Sequence, residues 1–557
     1  MATITQKSKL GWFESKRGRR VLENLTAYMF LAPASLIIFT FGIFPVAFAF
    51  FISLHRWRRF PDEFRGLDSY VEAIGNLAFV LFFWIALIAA VFGLYTLWKM
   101  YKQTGEDNNQ KALALIIPSI AVASALFAFA SWFFRLLFFI FLIPRRLQGQ
   151  EKSTSIFVQE LISSFQAENV VAAASIMGLL VILAVVILII TGRFLKIPQR
   201  LHYFVIALRG FVALGISFFL MRLTLSEIQI AIDEARAAAE SAPIWSQIIF
   251  ISLGAALIFF AMWLWNRTVH DHADNQPVMK LFVVVAAIIG AVLLIMYVPP
   301  SLADAEDDVL KGFKVVTLYA LFSVPITLAL GLSLAVLLYQ KIQAKSFFRV
   351  VYFMPYITPF VATSVVFSLL FSHRTGSPAN QFINIFGLEP QRWLLEPKGI
   401  VQLVLGDGVP SFLSGPGLAL FVIIMYSIWT YAGYSTVIFL AGLGNIPTDV
   451  YEAARIDGAN AWQQFRHMTL PLLSPTTFFL LLISTIGTFQ AFTQIFLMRR
   501  AGAYDAVDTI NIYIYQEITT GRPDYAFGSA MAFVLFSVIL ILTFIQNRMV
   551  GRKVFYG

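Results

Sequence analysis

The chain has 557 residues, of which 59% are hydrophobic and only 13% are charged. Because about a quarter of the residues in a soluble domain are charged, this composition excludes an ordinary soluble protein and predicts a polytopic membrane protein. The net charge of +10 is better explained by basic loops retained on the cytoplasmic side of a membrane than by nucleic-acid binding. The absence of cysteine excludes disulfides, thiol catalysis and thiolate metal sites.

A basic segment, residues 1–23, precedes an apolar run over residues 25–53. This run is too long for the core of a signal peptide, so it is predicted to be an uncleaved first span with its N-terminus in the cytoplasm. An arginine-rich segment follows, HRWRRFPDEFRGLDSY, which ends at Tyr70.

Six apolar runs fill the middle of the chain, and each is long enough to cross about 30 Å of hydrocarbon at about 1.5 Å per residue. They lie near residues 77–98, 112–133, 170–191, 202–222, 245–265 and 279–298. A separate amphipathic helix is predicted over residues 227–240, which are rich in helix-forming residues.

Five further spans are predicted in the C-terminal region. They lie near residues 309–339, 347–371, 418–443, 472–498 and 525–545. Pro355 and Pro359 should bend or break the start of the second of these spans. With the first apolar run, the chain is predicted to be all-α with about twelve transmembrane helices.

The loop charges support this layout if the segment around Gly66 lies outside the cell. Basic loops then fall inside, near residues 99–111, 193–200 and 267–280. Acidic loops fall outside, near residues 227–240 and 304–308. This is the positive-inside pattern. One loop disagrees, because Arg145, Arg146 and Lys152 would be outside; residues 133–143 could instead be a re-entrant or interfacial continuation.

Some polar residues have more than one interpretation. Arg135, Arg209 and Arg222 lie in or near apolar runs, where a charge is costly unless it faces protein or water. Function is possible for them, but a structural partner inside the bundle is the simpler explanation. His270 and His272 share a loop with two aspartates, 271 and 274, which could bind a metal ion but is more simply a solvated loop.

The most polar interruption of the C-terminal region is YEAARIDGANAWQQFRHMTLPLLSP, residues 451–475, here called the EAA segment. Residues 448–456 are predicted to form a short helix that stops at Asp457-Gly458, since glycine accepts the left-handed conformation past a helix end. Residues 459–468 are predicted to form a second amphipathic helix before Pro471 and Pro475 open the next span.

The EAA segment resembles the cytoplasmic EAA loop of bacterial ABC importer permeases. Glu452-Ala453-Ala454, Gly458 and Leu470-Pro471 match that loop in order and spacing, and EAARIDGA followed by F and LPLLxP resembles its sugar-importer, maltose-type branch. Met468 departs from the isoleucine that is usual there. Residues 66–70, GLDSY, resemble the external segment after the first span of sugar permeases.

The resemblance covers roughly residues 25–75 and 306–557 and implies a type I importer core. Three regions are therefore predicted. Residues 1–75 would form the cytoplasmic N-terminus, first core span and external segment. Residues 76–305 would be an inserted membrane region of about six helices, serving as a scaffold, a partner dock or a lipid-facing brace. Residues 306–557 would form the permease core, with the coupling loop near 446–475.

The resemblance also implies site residues. ATPase coupling is assigned to the EAA segment, at Glu452, Ala453, Ala454, Asp457, Gly458 and Pro471. The spans on either side of that segment would line the substrate path, at Thr430, Tyr431, Tyr434, Ser484, Gly487, Thr488 and Gln490. Aromatic faces pack on sugar rings and short polar groups bind hydroxyls, but serine and threonine also join helices to one another.

The resemblance implies a transport subunit in a bacterial or archaeal cytoplasmic membrane, in contact with membrane lipid and with both termini in the cytoplasm. It would form half of the path for a sugar or oligosaccharide, without catalytic residues or metal of its own. No Gly-Lys dipeptide occurs, so a standard P-loop is absent and ATP and Mg would be bound by a partner. The implied partners are a second permease, two ATPase subunits and an extracytoplasmic solute-binding protein.

Two alternatives come from other classes of protein. A stand-alone channel or secondary transporter for a small polar solute would be expected to carry ion-coupling charges inside its spans, and the core spans are poor in them. A membrane-embedded enzyme would require a catalytic constellation in a wet cavity, and the sequence shows no such set.

Overall fold

A computed structural model describes residues 16–149, 153–194, 197–239, 242–270, 277–340, 343–406, 408–410, 414–519 and 521–551. Side chains are described in these ranges except at 16–21, 265–270 and 277–281. In these ranges the fold is all-α apart from one small hairpin and an isolated β-bridge between Gly399 and Gly417, which confirms the predicted class. In the described ranges, ten helices are long and apolar enough to cross a membrane, and two bent helix pairs raise the number to twelve if each is one span.

Besides a short π-helix (Phe39–Ile43) and a 3-10 helix (Gln110–Leu115), the described residues of the N-terminal and middle regions contain eleven α-helices and a two-stranded sheet. They are α1 (Lys16–Ile38), α2 (Phe44–Ser53), β1 (His55–Trp57), β2 (Pro61–Phe64), α3 (Asp68–Ile74), α4 (Leu77–Glu106), α5 (Ile116–Phe141), α6 (Ile143–Arg146), α7 (Thr154–Gln166), α8 (Glu168–Phe194), α9 (Arg200–Ala237), α10 (Ile244–His270) and α11 (Pro277–Ser301).

In the described residues of the C-terminal region, the elements are helices joined by loops. It contains α12 (Asp307–Tyr339), α13 (Lys345–Ile357), α14 (Phe360–Leu370), α15 (Pro378–Asn384), α16 (Ile400–Leu405), α17 (Leu418–Gly444), α18 (Thr448–Ile456), α19 (Ala461–Gln464), α20 (Leu470–Leu472), α21 (Ser474–Phe489), α22 (Thr493–Met498), α23 (Tyr504–Val507), α24 (Ile510–Thr519) and α25 (Tyr525–Met549).

The six apolar runs of the middle region form α4, α5 and α8–α11, which pack mainly as three pairs: α4 with α9, α5 with α8 and α10 with α11. Small residues permit close approach. A Cβ placed on Gly254 would lie 3.0 Å from the carbonyl oxygen of Gly290. The α4, α9 and α10 helices share a hydrophobic core with α2, α12 and α25, so the middle region packs directly against the C-terminal helices.

Two local expectations about the middle region differ from the structure. Residues 133–143 are not re-entrant, because α5 continues to Phe141 and α6 follows in the same helical run. The helix over 227–240 is not separate, because residues up to Ala237 continue α9, where strong helix formers follow the apolar stretch without a break. Arg209 and Arg222 are exposed on α9 rather than paired inside this chain's described bundle.

The segment after the first span contacts the middle region closely. Gly66 has a φ of +60°, and a Cβ there would lie 1.9 Å from a carboxylate oxygen of Glu227 on α9. The backbone N–H of Glu306 donates to the carbonyl oxygen of Glu72 at 2.8 Å, which brings the end of the middle region back to α3. Glycine at position 66 is therefore required for two reasons: it adopts a left-handed φ without strain, and it leaves room for the close approach of α9.

The prolines of the second C-terminal span produce the expected break. The α13 and α14 helices meet at an angle of 94°, at Thr358 and Pro359. A second bend of 61° separates the α19–α20 segment from α21. Since proline lacks a backbone N–H and clashes with the preceding turn, breaks at such sites are expected.

The bundle has two distinguishable ends. Arg58, in the turn of the β1–β2 hairpin, pairs with Asp524 at the start of α25 with an N–O distance of 3.8 Å. At the other end of α25, a Cβ on Gly551 would lie 3.1 Å from the ring of Phe478, near the EAA segment. The 25 residues of α25 span about 37 Å. We call these the hairpin end and the EAA end.

Candidate functional site

The EAA segment begins with α18, which ends in a Schellman motif. The N–H of Ala459 donates to the carbonyl oxygen of Ala454 at 2.9 Å, and the N–H of Gly458 donates to that of Arg455 at 3.0 Å. Gly458 has a φ of +80°, the left-handed conformation that this motif requires. The predicted stop at Asp457-Gly458 is thereby confirmed.

A capping box starts the next helix. The side chain of Asn460 accepts a hydrogen bond from the N–H of Gln463 at 2.9 Å, and the side chain of Gln463 accepts one from the N–H of Asn460 at 2.8 Å. The second predicted helix is α-helical only over residues 461–464, and residues 465–469 form a π turn. The hydroxyls of Tyr451 and Thr469 lie 3.0 Å apart and join the two halves of the segment.

The segment presents most of its predicted coupling residues on its surface. The exposed ones are Glu452, Ala453, Asp457, Gly458 and Pro471. Ala454 is buried against the rest of the chain. Two large apolar side chains are unusually exposed beside them, Ile456 at 86% and Trp462 at 64%. An exposed apolar patch rimmed by polar residues is typical of a protein interaction surface.

The predicted path residues on α17 fall into two environments. Thr430 is fully buried, and its hydroxyl donates to the carbonyl oxygen of Tyr426 at 2.9 Å. Tyr431 and Tyr434 are half-buried and contact the same ring. Tyr356 stacks on Tyr434 with a centroid distance of 4.8 Å and meets Tyr431 at 6.0 Å.

The predicted path residues on α21 lie near its end toward α22. Ser484 and Thr488 are half-buried, and the Thr488 hydroxyl donates to the carbonyl oxygen of Ser484 at 2.6 Å. Gly487 is exposed, with no atom within 4 Å of a Cβ built on it, and Gln490 is exposed at the end of the helix. Among the described residues, no hydrogen bond or ring contact joins this group to the tyrosines of α17.

The aromatic cluster includes a residue that sequence reasoning missed. Tyr356 lies at the end of α13, directly before the break, and Phe360 at the start of α14 meets Tyr431 with a centroid distance of 6.1 Å. Gly433 permits the approach, because a Cβ there would lie 1.8 Å from the carbonyl oxygen of Tyr352. The spacing of Pro355 and Pro359 around Tyr356 was the available signal.

A buried polar network links the core helices beside this cluster. Tyr319 on α12 hydrogen-bonds Ser427 on α17, and Gln494 on α22 donates to Tyr319 at 3.3 Å. The hydroxyls of Thr363 and Tyr426 lie 2.7 Å apart. Such pairs satisfy polar groups that would otherwise be costly in an apolar layer. The network holds the α14, α17 and α22 helices in register around the aromatic cluster.

A buried ion pair closes the loop region at the hairpin end. Arg499 donates to Asp508 at 2.8 Å, and its guanidinium lies 4.5 Å from the ring centroid of Tyr504. Burial raises the pKa of Asp508 to about 6, although Arg499 opposes this shift. The carboxylate oxygen Oδ1 of Asp508 makes no hydrogen bond within the described residues. The geometry favours a structural role for the Arg499–Asp508 pair, in which Oδ1 of Asp508 is left as one buried acceptor without a hydrogen bond.

No group of three or more His, Asp or Glu side chains suited to a metal ion occurs in the described part of the chain. The alternative metal loop, His270 with His272, lies outside the described side chains, as does Lys152.

Comparison with known proteins adds a family assignment to this geometry. Residues 327–556 match the model of a family described as binding-protein-dependent transport system inner membrane component. The middle region therefore lies outside the matched residues.

Two curated relatives and one solved structure illustrate the likeness. Over 237 residues the chain is 34% identical to the arabinooligosaccharides transport system permease protein AraP of Halalkalibacterium halodurans, an alignment covering 42% of this chain and 69% of that one. It is 29% identical over 234 residues to the trehalose/maltose transport system permease protein MalF of Thermococcus litoralis, covering 42% and 72%. A bacterial transporter structure involved in alginate import shares 22% identity, covering 44% of this chain and 80% of that chain, with a TM-score of 0.37.

Proposed function

The chain belongs to the binding-protein-dependent permease family of ABC importers, and from that premise we propose that it forms half of the translocation path for a sugar or oligosaccharide. The relatives named for arabinooligosaccharide and trehalose/maltose transport support this class of solute. The observation that carries the proposal is the shape of the EAA segment, with its exposed Ile456 and Trp462 beside the polar motif.

The EAA segment is suited to dock into a cleft of a separate ATPase. Glu452 and Asp457 are exposed carboxylates that can pair with basic groups, and Ala453 leaves room for close contact. The Schellman turn at Gly458 and the Tyr451–Thr469 hydroxyl contact fix the shape of the segment. A rigid element of this kind can transmit a movement of the ATPase to α17 and α21, which flank it.

The half-buried rings of Tyr356, Tyr431 and Tyr434 are suited to contact a solute. Aromatic faces pack on the apolar faces of sugar rings, and phenol hydroxyls exchange hydrogen bonds with sugar hydroxyls. Ser484, Gly487 and Thr488 would supply a second, small-residue wall. Thr430 would support the path from the packed interior, because its side chain is fully buried.

The complete importer would contain a second permease, two ATPase subunits that bind ATP and Mg, and an extracytoplasmic solute-binding protein. The EAA end would face the cytoplasm, as would both termini, and the hairpin end would face outside. Residues 76–305 would form an added membrane region packed on the family core. The shared hydrophobic core of α4, α9 and α10 with α2 and α25 supports this arrangement.

A stand-alone channel or secondary transporter is the competing function. Such a protein couples to ions through charged groups within its spans. The α17 and α21 helices carry no Asp, Glu, Lys or Arg. The uncharged path therefore favours an external energy source.

The test is uptake by proteoliposomes containing the complex purified through a tag on this chain. Uptake of a maltodextrin or arabino-oligosaccharide mixture should require ATP, Mg and an ATPase that copurifies. Uptake that persists without ATP and follows a proton or sodium gradient would refute the proposal in favour of a secondary transporter.

A further inference from the structure

A cavity of about 610 Å³ lies at the hairpin end, away from the aromatic cluster and the EAA segment. Its walls come from the end of α2, the β1–β2 hairpin, α5 with α6, and the start of α8. Its volume falls within the range of about 300–1,000 Å³ that is usual for ligand sites.

One wall of the cavity is a single helix face that carries an arginine near each of its two ends. Arg135, Phe138, Phe139 and Leu142 follow the i, i+3, i+4, i+7 spacing that places side chains on one face, and Arg145 continues it on α6. Phe51 supplies apolar surface from the opposite side and stacks on Phe134 with a centroid distance of 4.9 Å. The cavity is therefore amphipathic: its lining combines two arginines with the apolar rings of phenylalanines.

The cavity lies where apolar helices end, the level at which lipid headgroups are expected. Two apolar helices end beside it, α2 at Ser53 and α5 at Phe141, and a third, α8, begins at Glu168. Arg135 lies six residues before the end of α5, about 9 Å along the helix. An arginine at that depth can reach the interface with its guanidinium while its methylene stem stays in an apolar layer.

The cations of the cavity are not neutralised by neighbouring carboxylates. Arg146 pairs with Glu160 at 3.5 Å, but Arg135 and Arg145 make no ion pair or side-chain hydrogen bond with any residue that the structure describes. Burial lowers the pKa of His55, which a hydrogen bond with the backbone of Phe51 only partly opposes, so burial favours the neutral form of this imidazole.

Two carboxylates also line the cavity, on β2. Glu63 lies 3.4 Å from Arg56 and 4.0 Å from Arg65, so its charge is compensated within the hairpin. Asp62 has no cationic partner among the described residues. The free charges facing the cavity are thus two positive groups on one wall and one negative group on the other.

We propose that this cavity binds a phospholipid with an ethanolamine headgroup. The phosphate would contact Arg135 and Arg145, the ammonium would contact Asp62, and the acyl chains would leave across Phe138 and Phe139. This assignment accounts for Arg145, which belongs to the loop that conflicts with the positive-inside pattern, because a phosphate would offset its charge. It also gives the middle region a role in joining α5 to the hairpin through a shared lipid.

The proposal is tested by native mass spectrometry of the full-length chain, purified with its associated subunits and titrated with dioleoyl phosphatidylethanolamine or dioleoyl phosphatidylglycerol. Because Asp62 is exposed, its ion pair with the ammonium contributes about 0.2–1 kcal/mol, which corresponds to at most roughly fivefold in affinity. Wild-type protein should therefore bind the ethanolamine lipid a few-fold more tightly than the glycerol lipid. Soluble glycerophosphoethanolamine, which lacks acyl chains, should bind far more weakly.

Charge-removing variants separate the two contacts. Arg135→Gln with Arg145→Gln should weaken both lipids at least tenfold, and Arg145→Gln alone provides the milder change if the double variant fails to fold. Asp62→Asn should remove the preference for ethanolamine without weakening the glycerol lipid. Arg59→Gln is the matched control, since Arg59 is exposed on the same hairpin but does not line the cavity.

Three results would overturn the assignment: equal affinity for the two lipids in wild-type protein, unchanged binding after loss of Arg145 or of both arginines, or binding of the soluble headgroup as tight as that of the lipid. The last would identify a site for a water-soluble phosphodiester instead.

Discussion

Replacing Gly458 tests whether the shape of the EAA segment matters for function. Its φ of +80° is left-handed, and a Cβ built there meets no atom within 4 Å. Gly458→Ala therefore adds no collision inside this chain, and its cost is the backbone strain of about 1–2 kcal/mol. Gly458→Asn should cost less, because asparagine tolerates this conformation. Gly458→Pro should cost most, since it removes the N–H that donates to Arg455 and fixes φ near −65°.

This strain should appear as weaker docking of the ATPase. If the strained turn must be retained in the complex, 1–2 kcal/mol corresponds to a loss of about 5–30-fold in affinity for Gly458→Ala. The assay is a titration of reconstituted permease with purified ATPase, read out as ATP hydrolysis and solute uptake. The order of activity should be glycine, asparagine, alanine and proline.

Gly444→Ala is the matched control. Gly444 ends α17 near the same segment, has no atom within 4 Å of a Cβ and does not have a left-handed φ. Its replacement should leave docking unchanged. If Gly458→Ala docks like wild type, or if Gly444→Ala is equally impaired, the argument from backbone conformation is wrong.

Three other outcomes are expected. A cysteine at exposed Ala238 should react with an impermeant thiol reagent in intact cells, whereas one at exposed Asn108 should not, and the reverse would refute the proposed orientation. Tyr434→Ala and Thr488→Val should lower uptake or change solute preference, since losing one hydrogen bond to the solute costs about 0.5–1.5 kcal/mol. ATP hydrolysis stimulated by the binding protein should persist in both variants. Wild-type uptake of every sugar would show that these helix faces only pack against other helices. Because burial raises the pKa of Asp508 to about 6, its protonated form is favoured by folding, so its contribution to stability should fall as pH rises from about 4 to 6. Thermal unfolding in nanodiscs should show a larger decrease in wild type than in Asp508→Asn, where carboxyls such as Asp68 and Glu72, whose pKa burial also raises, still titrate; identical pH profiles would contradict the prediction.

The sequence predicted elements well where local chemistry determines them. The helix ending at Asp457-Gly458 followed from glycine's access to left-handed φ, and the break near Pro359 followed from proline geometry. Residues 227–237 were predicted to be helical, but the boundary of that helix was wrong, because nothing local separates it from α9. The type of an element could thus be predicted where the backbone preferences of its own residues determine the structure.

The composition of the candidate site was less predictable, because it depends on contacts between distant segments. Tyr356 joins the aromatic cluster only after the chain bends by 94°. Thr430 and Tyr431 are adjacent in sequence, yet the helix turns one into the packed interior and leaves the other half-buried. The cavity beside Arg135 likewise required knowing that α5 packs against the hairpin.

The EAA segment is expected to bind a separate ATPase subunit directly. The chain lacks cysteine, so Ile456→Cys provides a unique thiol at its most exposed apolar position in the segment. A short photoreactive maleimide attached there should crosslink to a copurifying ATP-binding subunit, identified by mass spectrometry. Phe386→Cys, exposed in the loop after α15, should not crosslink to it. Crosslinking from Phe386→Cys to the ATPase, or only lipid adducts from Ile456→Cys, would show that the EAA segment is not the ATPase-binding surface.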